Sequence, residues 1–96
     1  MADKYDWHNP KAETNAKKHG ITFEMACAVF EDEKAVWGED PDSSWSEDRF
    51  RIVGRVNGRF IAISYTYVDD DVVWLISARP ATKREINDYY LGQTPT

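Results

Sequence analysis

Between residues 49 and 79 the chain is constrained to an antiparallel sheet by one dipeptide. Asn57-Gly58 stands between two strand-like runs. These two residues accept the positive φ values of a type I′ turn, so a two-residue loop pairs Val56 with Arg59. The register follows: 55 with 60, 53 with 62, 51 with 64, 49 with 66. Cross-strand partners share a face. Arg49, Arg51, Val53 and Arg55 therefore lie with Phe60, Ala62, Ser64 and Thr66. Phe50, Ile52, Gly54 and Val56 lie with Ile61, Ile63 and Tyr65 on the other side. One face is basic and polar, the other apolar.

Asp69-Asp70-Asp71 makes the next turn, and the strands are expected near 49–56, 59–67 and 73–79. A two-residue loop at Asp69-Asp70 or at Asp70-Asp71 puts Leu75, Ser77 and Arg79 on the basic face. It puts Trp74, Ile76 and Ala78 on the apolar one. A three-residue loop with a bulge flips that assignment. The helices are expected to pack on the apolar side, an α+β arrangement.

The last strand runs into Arg79, breaks at Pro80 and restarts as a helix. Thr82-x-x-Glu85 is a capping box: the Thr hydroxyl accepts from the Glu85 amide while the Glu carboxylate reaches back. Strand, arginine and helix start form one short rigid unit, a good mount for a cation at a sheet edge.

Upstream, Tyr5–Trp7 reads as a short strand. Pro10 opens a helix that runs to His19 and stops at Gly20. Lys17, Lys18 and His19 fill its last turn, where cations suit the helix dipole. Thr22 caps a second helix, Phe23–Phe30, with Phe23, Ala26, Cys27 and Phe30 on one face. Ala35–Trp37 reads as a strand and 39–47 as a polar loop. Residues 92–96 are expected to fray. Ninety-six residues make one domain, 1–96, with one modest core.

The net charge of −5 is unpromising for nucleic acid, but its distribution matters more. Residues 31–48 hold eight acids against Lys34, a local −7, so the remainder sums to +2. Residues 49–59 hold four arginines and no acid. The acids either keep a loop solvated and pair with the sheet arginines, or orient a basic site or partner. An arginine-bearing face with Ser64, Thr66 and Ser77 suits a phosphodiester backbone, because guanidinium forks match phosphate oxygens.

Competing chemistries are poorly served. Cys27 is the single cysteine, it falls on an apolar helix face, and a core role suits it better than nucleophilic attack. His8 and His19 lack the carboxylate spacing of a metal site, so no metal and no cofactor are expected. There is no glycine-rich phosphate loop and no nucleophile elbow. Trp45, within the acidic loop, is a candidate for ligand or partner contact. No run is long enough to span a membrane and no signal peptide opens the chain, so a cytoplasmic protein is expected.

Taken in order, Lys18-His19-Gly20-Ile21, Phe23-Glu24, Glu47-Asp48-Arg49-Phe50, Ile76-Ser77-Ala78-Arg79 and Ala81-Thr82-Lys83-Arg84-Glu85 resemble the BrnT-type toxins. These are the ribonuclease partners of bacterial type II toxin–antitoxin pairs. The resemblance spans roughly residues 5–90, with Trp7, Lys11, Asn15 and Gly58-Arg59 also matching. It implies a RelE-like fold: N-terminal helices packed on an antiparallel sheet, with a C-terminal helix. It further implies a metal-independent ribonuclease that inhibits translation and is neutralised by a BrnA-like ribbon-helix-helix antitoxin. A hetero-oligomer with that antitoxin would then reach DNA through the antitoxin alone. Metal-free RNA cleavage needs a 2′-oxygen aimed at phosphorus, a proton acceptor, a proton donor and cations on the phosphorane. Position and resemblance together assign Arg79 as phosphate clamp, supported by Arg49, with Glu47 as base and Lys18 and His19 as alternates. Arg51, Arg55, Ser77, Thr82, Lys83 and Arg84 fall to RNA and phosphate binding. Two rivals remain: an inactive relic that only binds its antitoxin, and a DNA-binding module, against which the acidic composition argues.

Overall fold

The computed structural model describes residues 4–40, 48–69 and 71–96. Its elements are β1 (Lys4–Asp6), α1 (Asn9–His19), α2 (Phe23–Ala26), β2 (Val36–Glu39), β3 (Phe50–Val56), β4 (Arg59–Asp69), β5 (Val72–Pro80) and α3 (Lys83–Leu91). One sheet holds all five strands in the order β1-β5-β4-β3-β2. Its four later strands are antiparallel, while β1 adds to β5 in parallel, so the sheet is mixed. None of the described helices is long and apolar enough to cross a membrane.

Local chemistry sets the helix ends. Gly20, at φ 70°, closes α1 and donates its amide to the Ala16 carbonyl at 2.8 Å. The Thr22 hydroxyl accepts from the Met25 amide at 3.0 Å and starts α2. The helix expected over Phe23–Phe30 is α-helical only to Ala26, and Cys27–Glu31 winds more tightly as a 3-10 helix. That segment lies against β3 at Gly54, where a Cβ would come within 2.7 Å of Val29 Cγ1. Only glycine admits so close an approach.

The hairpin has the expected register, from Val56↔Arg59 through Arg51↔Ser64. Asn57 and Gly58 take φ of 51° and 81°, as the type I′ turn demands. The next pair of strands departs from a simple ladder. Asp69 pairs with Val72, but Tyr67 pairs with Val73, Thr66 with Trp74 and Tyr65 with Leu75; Ser64 then returns to Ser77 and Ala62 to Arg79. Two bulges, one on each strand, shift the register and restore it. Ser77 and Arg79 thus keep the basic face, whereas Leu75 and Trp74 exchange the faces expected of them. The bulged register places Val73, Leu75 and Ala78 in the core, each no more than 2 % exposed. An unbroken ladder would have turned Val73 and Leu75 outward.

The main core lies between the apolar face and α1, α2 and the 3-10 segment, around Ile21, Phe23, Val29, Ile61, Ile63 and Leu75. A second, smaller core lies on the basic face, where Val36, Val53 and Ala62 pack against Ala81 and Tyr89. The C-terminal helix therefore covers part of a face the sequence reads as open. The tail, expected to fray, lies against α3. Gln93 Nε2 and the Thr96 amide donate to the two carboxylate oxygens of Asp88, at 2.7 and 3.1 Å. Pro95 is buried.

Candidate nucleic-acid interface

The site is built around the end of β5. On the β1 side, pairing stops at Trp74, so the strand's outer edge beyond it needs other partners. Asn15 of α1 supplies them at Ala78. Its Nδ2 donates to the Ala78 carbonyl at 2.8 Å, and its Oδ1 accepts the Ala78 amide at 3.1 Å. The same Nδ2 also reaches the Ile21 carbonyl. A buried side chain thus acts as one residue of a missing strand and fixes the backbone immediately before Arg79.

Immediately beyond Arg79, the capping box forms as expected: Glu85 donates its amide to the Thr82 hydroxyl, and Glu85 Oε1 accepts the Thr82 amide at 2.8 Å. The same carboxylate has a second task. Arg79 Nη1 meets Oε1 at 2.7 Å and Nη2 meets Oε2 at 2.9 Å, a two-point fork. Arg51 Nη1 adds a bond to Oε2 at 3.2 Å, and its Nη2 donates to Asp40 Oδ1 at 2.7 Å. Ser64 Oγ donates to the other Asp40 oxygen. Asp40, Arg51, Glu85 and Arg79 form one chain of alternating charge beneath the start of α3.

Burial divides the two arginines. The Arg51 side chain is 7 % exposed and that of Arg79 is 30 % exposed. Arg51 is an interior tie, while Arg79 is held from within and still reaches solvent. Burial by itself would raise the Glu85 pKa; the Arg79 fork, the Thr82 amide and the Arg51 charge outweigh it, and the carboxyl sits below its ordinary range.

The other candidates are placed as follows. Arg49 is exposed beside a shallow depression of about 370 Å3, lined also by Lys11, Thr66 and Trp74. Arg55 is exposed, with its guanidinium 5.4 Å from the centre of the Phe60 ring. Ser77 is half-buried opposite Ser64. Thr82 is committed to the cap, and Lys83 and Arg84 are exposed in the first turn of α3. Lys18 and His19 end α1, three and four residues past Asn15, on the flank of the helix that meets β5. Lys18 is exposed and His19 half-buried, while Arg79, paired with Ala62, lies on the sheet face of the smaller core. Glu47 and Trp45 lie outside the described residues. Cys27 is half-buried, and burial, with Glu24 nearby, pushes its thiol pKa up. Among the described residues, no three His, Cys, Asp or Glu side chains are grouped as a metal site requires.

Three structural residues went unmarked as such in the sequence. Asn15 carried one signal, a polar residue amid a helix that must pack. Asp40 was hidden in a run of acids. Asp32 accepts bonds from the Lys34 and Arg55 amides and from the Tyr89 hydroxyl, at 2.8–2.9 Å. It ties the 3-10 segment, β3 and α3 together.

The family model described as "Ribonuclease toxin, BrnT, of type II toxin-antitoxin system" matches residues 7–85. The chain belongs to the BrnT family. Among solved structures it is similar to the ribonuclease toxin BrnT of Brucella abortus, at 32 % identity and a TM-score of 0.63. That match covers 83 % of this chain and 97 % of the other. No curated protein sequence matched the chain. The BrnT match spans α1 to the start of α3 and so includes Asn15, Arg51, Arg79 and Glu85, the residues that build the end of β5.

Proposed function

We propose that this chain cleaves RNA without a metal ion, inhibits translation in the cytoplasm, and is neutralised by a BrnA-like ribbon-helix-helix antitoxin. Membership of a ribonuclease toxin family supports the activity. The observation that carries the site is the Arg79–Glu85 fork, in which a buried carboxylate holds a partly exposed arginine at the start of a capped helix. Arg79 Nη1 also donates to the Pro80 carbonyl at 3.2 Å, and with 30 % of the side chain exposed a phosphate can approach it from the solvent side. Fixed in orientation beforehand, Arg79 loses little freedom when a phosphate arrives, and that is what transition-state stabilisation by charge requires.

In this reading the ribose 2′-oxygen attacks the adjacent phosphorus and its proton passes to a base. The bond to the 5′-oxygen breaks, that oxygen takes up a proton, and a 2′,3′-cyclic phosphate remains. Arg79 faces the charge that builds on the phosphorane. Arg49, Arg55, Lys83 and Arg84 hold flanking phosphates, and Ser77 borders the strand end. Glu47 is our choice of base, with Lys18 and His19 as alternates for proton transfer. Arg51 and Thr82 position Arg79 through Glu85. The test is cleavage of a short RNA in EDTA by the wild-type chain and by Arg79→Ala and Glu47→Gln, with circular dichroism of each. Activity that needs a divalent ion overturns the metal-free mechanism.

One observation favours a second reading, a protein that only binds its antitoxin: Asp40 and Glu85 balance the charges of Arg51 and Arg79. A folded wild-type chain that binds the antitoxin but leaves RNA intact would establish it.

A further inference from the structure

The helices do not cover the whole apolar face. Beyond the 3-10 segment, a cleft of about 440 Å3 opens over the sheet. Its floor is aromatic: Phe30 lies 5.2 Å from Tyr5 and 5.2 Å from Tyr65, centre to centre. Trp37 and Tyr67 stand at its margin, 61 % and 50 % exposed. Glu31, Asp32 and Glu33 also line it, and among the described residues lining it there is no cation. Glu31 and Glu33 are exposed, while Asp32 is held by its bonds to β3 and α3.

Exposed tryptophan and tyrosine around an apolar depression are the composition of a protein interface centre. The acids decide what fits. RNA is disfavoured, since three carboxylates would face its phosphates. A second copy is disfavoured too, because a two-fold axis through the cleft would set the same acids against each other. A positively charged segment carrying apolar side chains satisfies both the floor and the rim.

We propose that this cleft is where the protein antitoxin docks, through a segment that places apolar side chains among the aromatic rings and Lys or Arg against Glu31 and Glu33. The inference rests on the reading of the chain as a type II toxin. It puts the antitoxin on the face opposite Arg79. Neutralisation then follows from bulk or from a reach around the sheet edge rather than from plugging the site.

The probe is the purified product of the open reading frame adjacent to this chain's own, titrated by calorimetry into the full-length chain. Trp37→Ala should weaken binding by about thirtyfold or more, the scale of an interface hot spot. The pair Glu31→Lys/Glu33→Lys should slow association and remove much of its salt dependence. Tyr90→Ala, a control at an exposed position on α3, should change nothing. All three variants alter exposed side chains, and circular dichroism verifies their folds. Wild-type binding left intact by both cleft changes overturns the docking site. So does loss of RNA affinity in Trp37→Ala with antitoxin binding retained, or self-association of the wild type that Trp37→Ala abolishes. A wild-type chain that binds no such partner overturns the toxin–antitoxin reading, and the docking site with it.

Discussion

Arg79 and Glu85 are joined at two points, Nη1 to Oε1 at 2.7 Å and Nη2 to Oε2 at 2.9 Å, across the Ala81-Thr82 link between β5 and α3. The carboxylate that caps the helix is the one that aims the arginine. A backbone motif and a side-chain site are thereby made from the same atoms.

Arg79→Ala should lower RNA cleavage by roughly 10²–10³-fold, the scale of one preorganised contact to a transition-state charge. The fold should survive, because the arginine is partly solvated and Arg51 still faces Glu85. Arg79→Lys should recover only part of the rate, since a point charge cannot reproduce a fork. Initial rates on a short RNA, read beside circular dichroism, decide it. Wild-type rates from a folded Arg79→Ala protein remove Arg79 from the site.

Glu85→Gln is the harsher change for stability. Glutamine can still complete the capping box, so helix initiation is preserved. The loss falls on Arg51, buried with one of its two acids gone. Breaking a buried pair from one side costs about 3–5 kcal/mol, less here by the bond to Asp40 that remains. We expect a destabilisation of about 3 kcal/mol by urea unfolding. Adding Arg51→Met should cost less than the two single effects combined. Strict additivity would show that the two groups do not act as one network.

How much of this was legible in the sequence depends on whether a short-range rule decided the outcome. Asn57-Gly58 set the β3–β4 register because a two-residue loop leaves no slack. The Thr82/Glu85 box was legible because its partners are three residues apart. Leu75 and Trp74 were misplaced because a pair of compensating bulges answers to core packing, which no local spacing encodes. The cover over Arg51 was missed for a similar reason. Whether α3 turns onto the basic face depends on Val36, Val53 and Ala62 offering a small apolar patch there, and on Glu85 meeting two arginines from other strands. The mixed sheet has the same origin, since β1 and β5 lie far apart in the chain.

Acid should weaken the fold in a defined window. For Glu85 and Asp32, burial works against the charged form but hydrogen bonds overcome it. For Asp88, the Gln93 amide leads, with Thr96 adding to it. All three carboxyls have folded-state pKa values below their ordinary ones, about 4.3 for Glu and 3.9 for Asp. The unfolded chain therefore takes up protons first as pH falls. The stabilisation is complete above the ordinary values and is lost as pH drops through the folded ones. The Tm should stay level from about pH 8 to 5 and fall below about pH 4. Glu85→Gln should be less stable throughout but with a shallower acid slope. An unchanged slope would mean that Glu85 titrates alike folded and unfolded. At the other end, burial pushes the Tyr65 phenol well above its usual value. Stability should therefore fall again above about pH 10, where the unfolded tyrosine ionises and the buried one does not.

Asn15 is the residue whose role is most exposed to test. Its side chain satisfies one amide and two carbonyls, all within the layer between α1 and β5. Asn15→Ala strips partners from buried backbone groups, each costing about 1–3 kcal/mol. Water can enter only in part, so we expect a loss of about 3 kcal/mol. In a domain of this size that lowers Tm by roughly 12–20 °C. Asn15→Asp separates the bonds: its carboxylate still accepts the Ala78 amide but faces the Ala78 and Ile21 carbonyls without a donor. It should be at least as damaging as alanine at neutral pH and should partly recover in acid, where a protonated carboxyl can donate again. Because Ala78 precedes Arg79, Asn15→Ala should also slow RNA cleavage at temperatures where the protein remains folded. A variant as stable and as active as wild type would show that the end of β5 holds its place without α1.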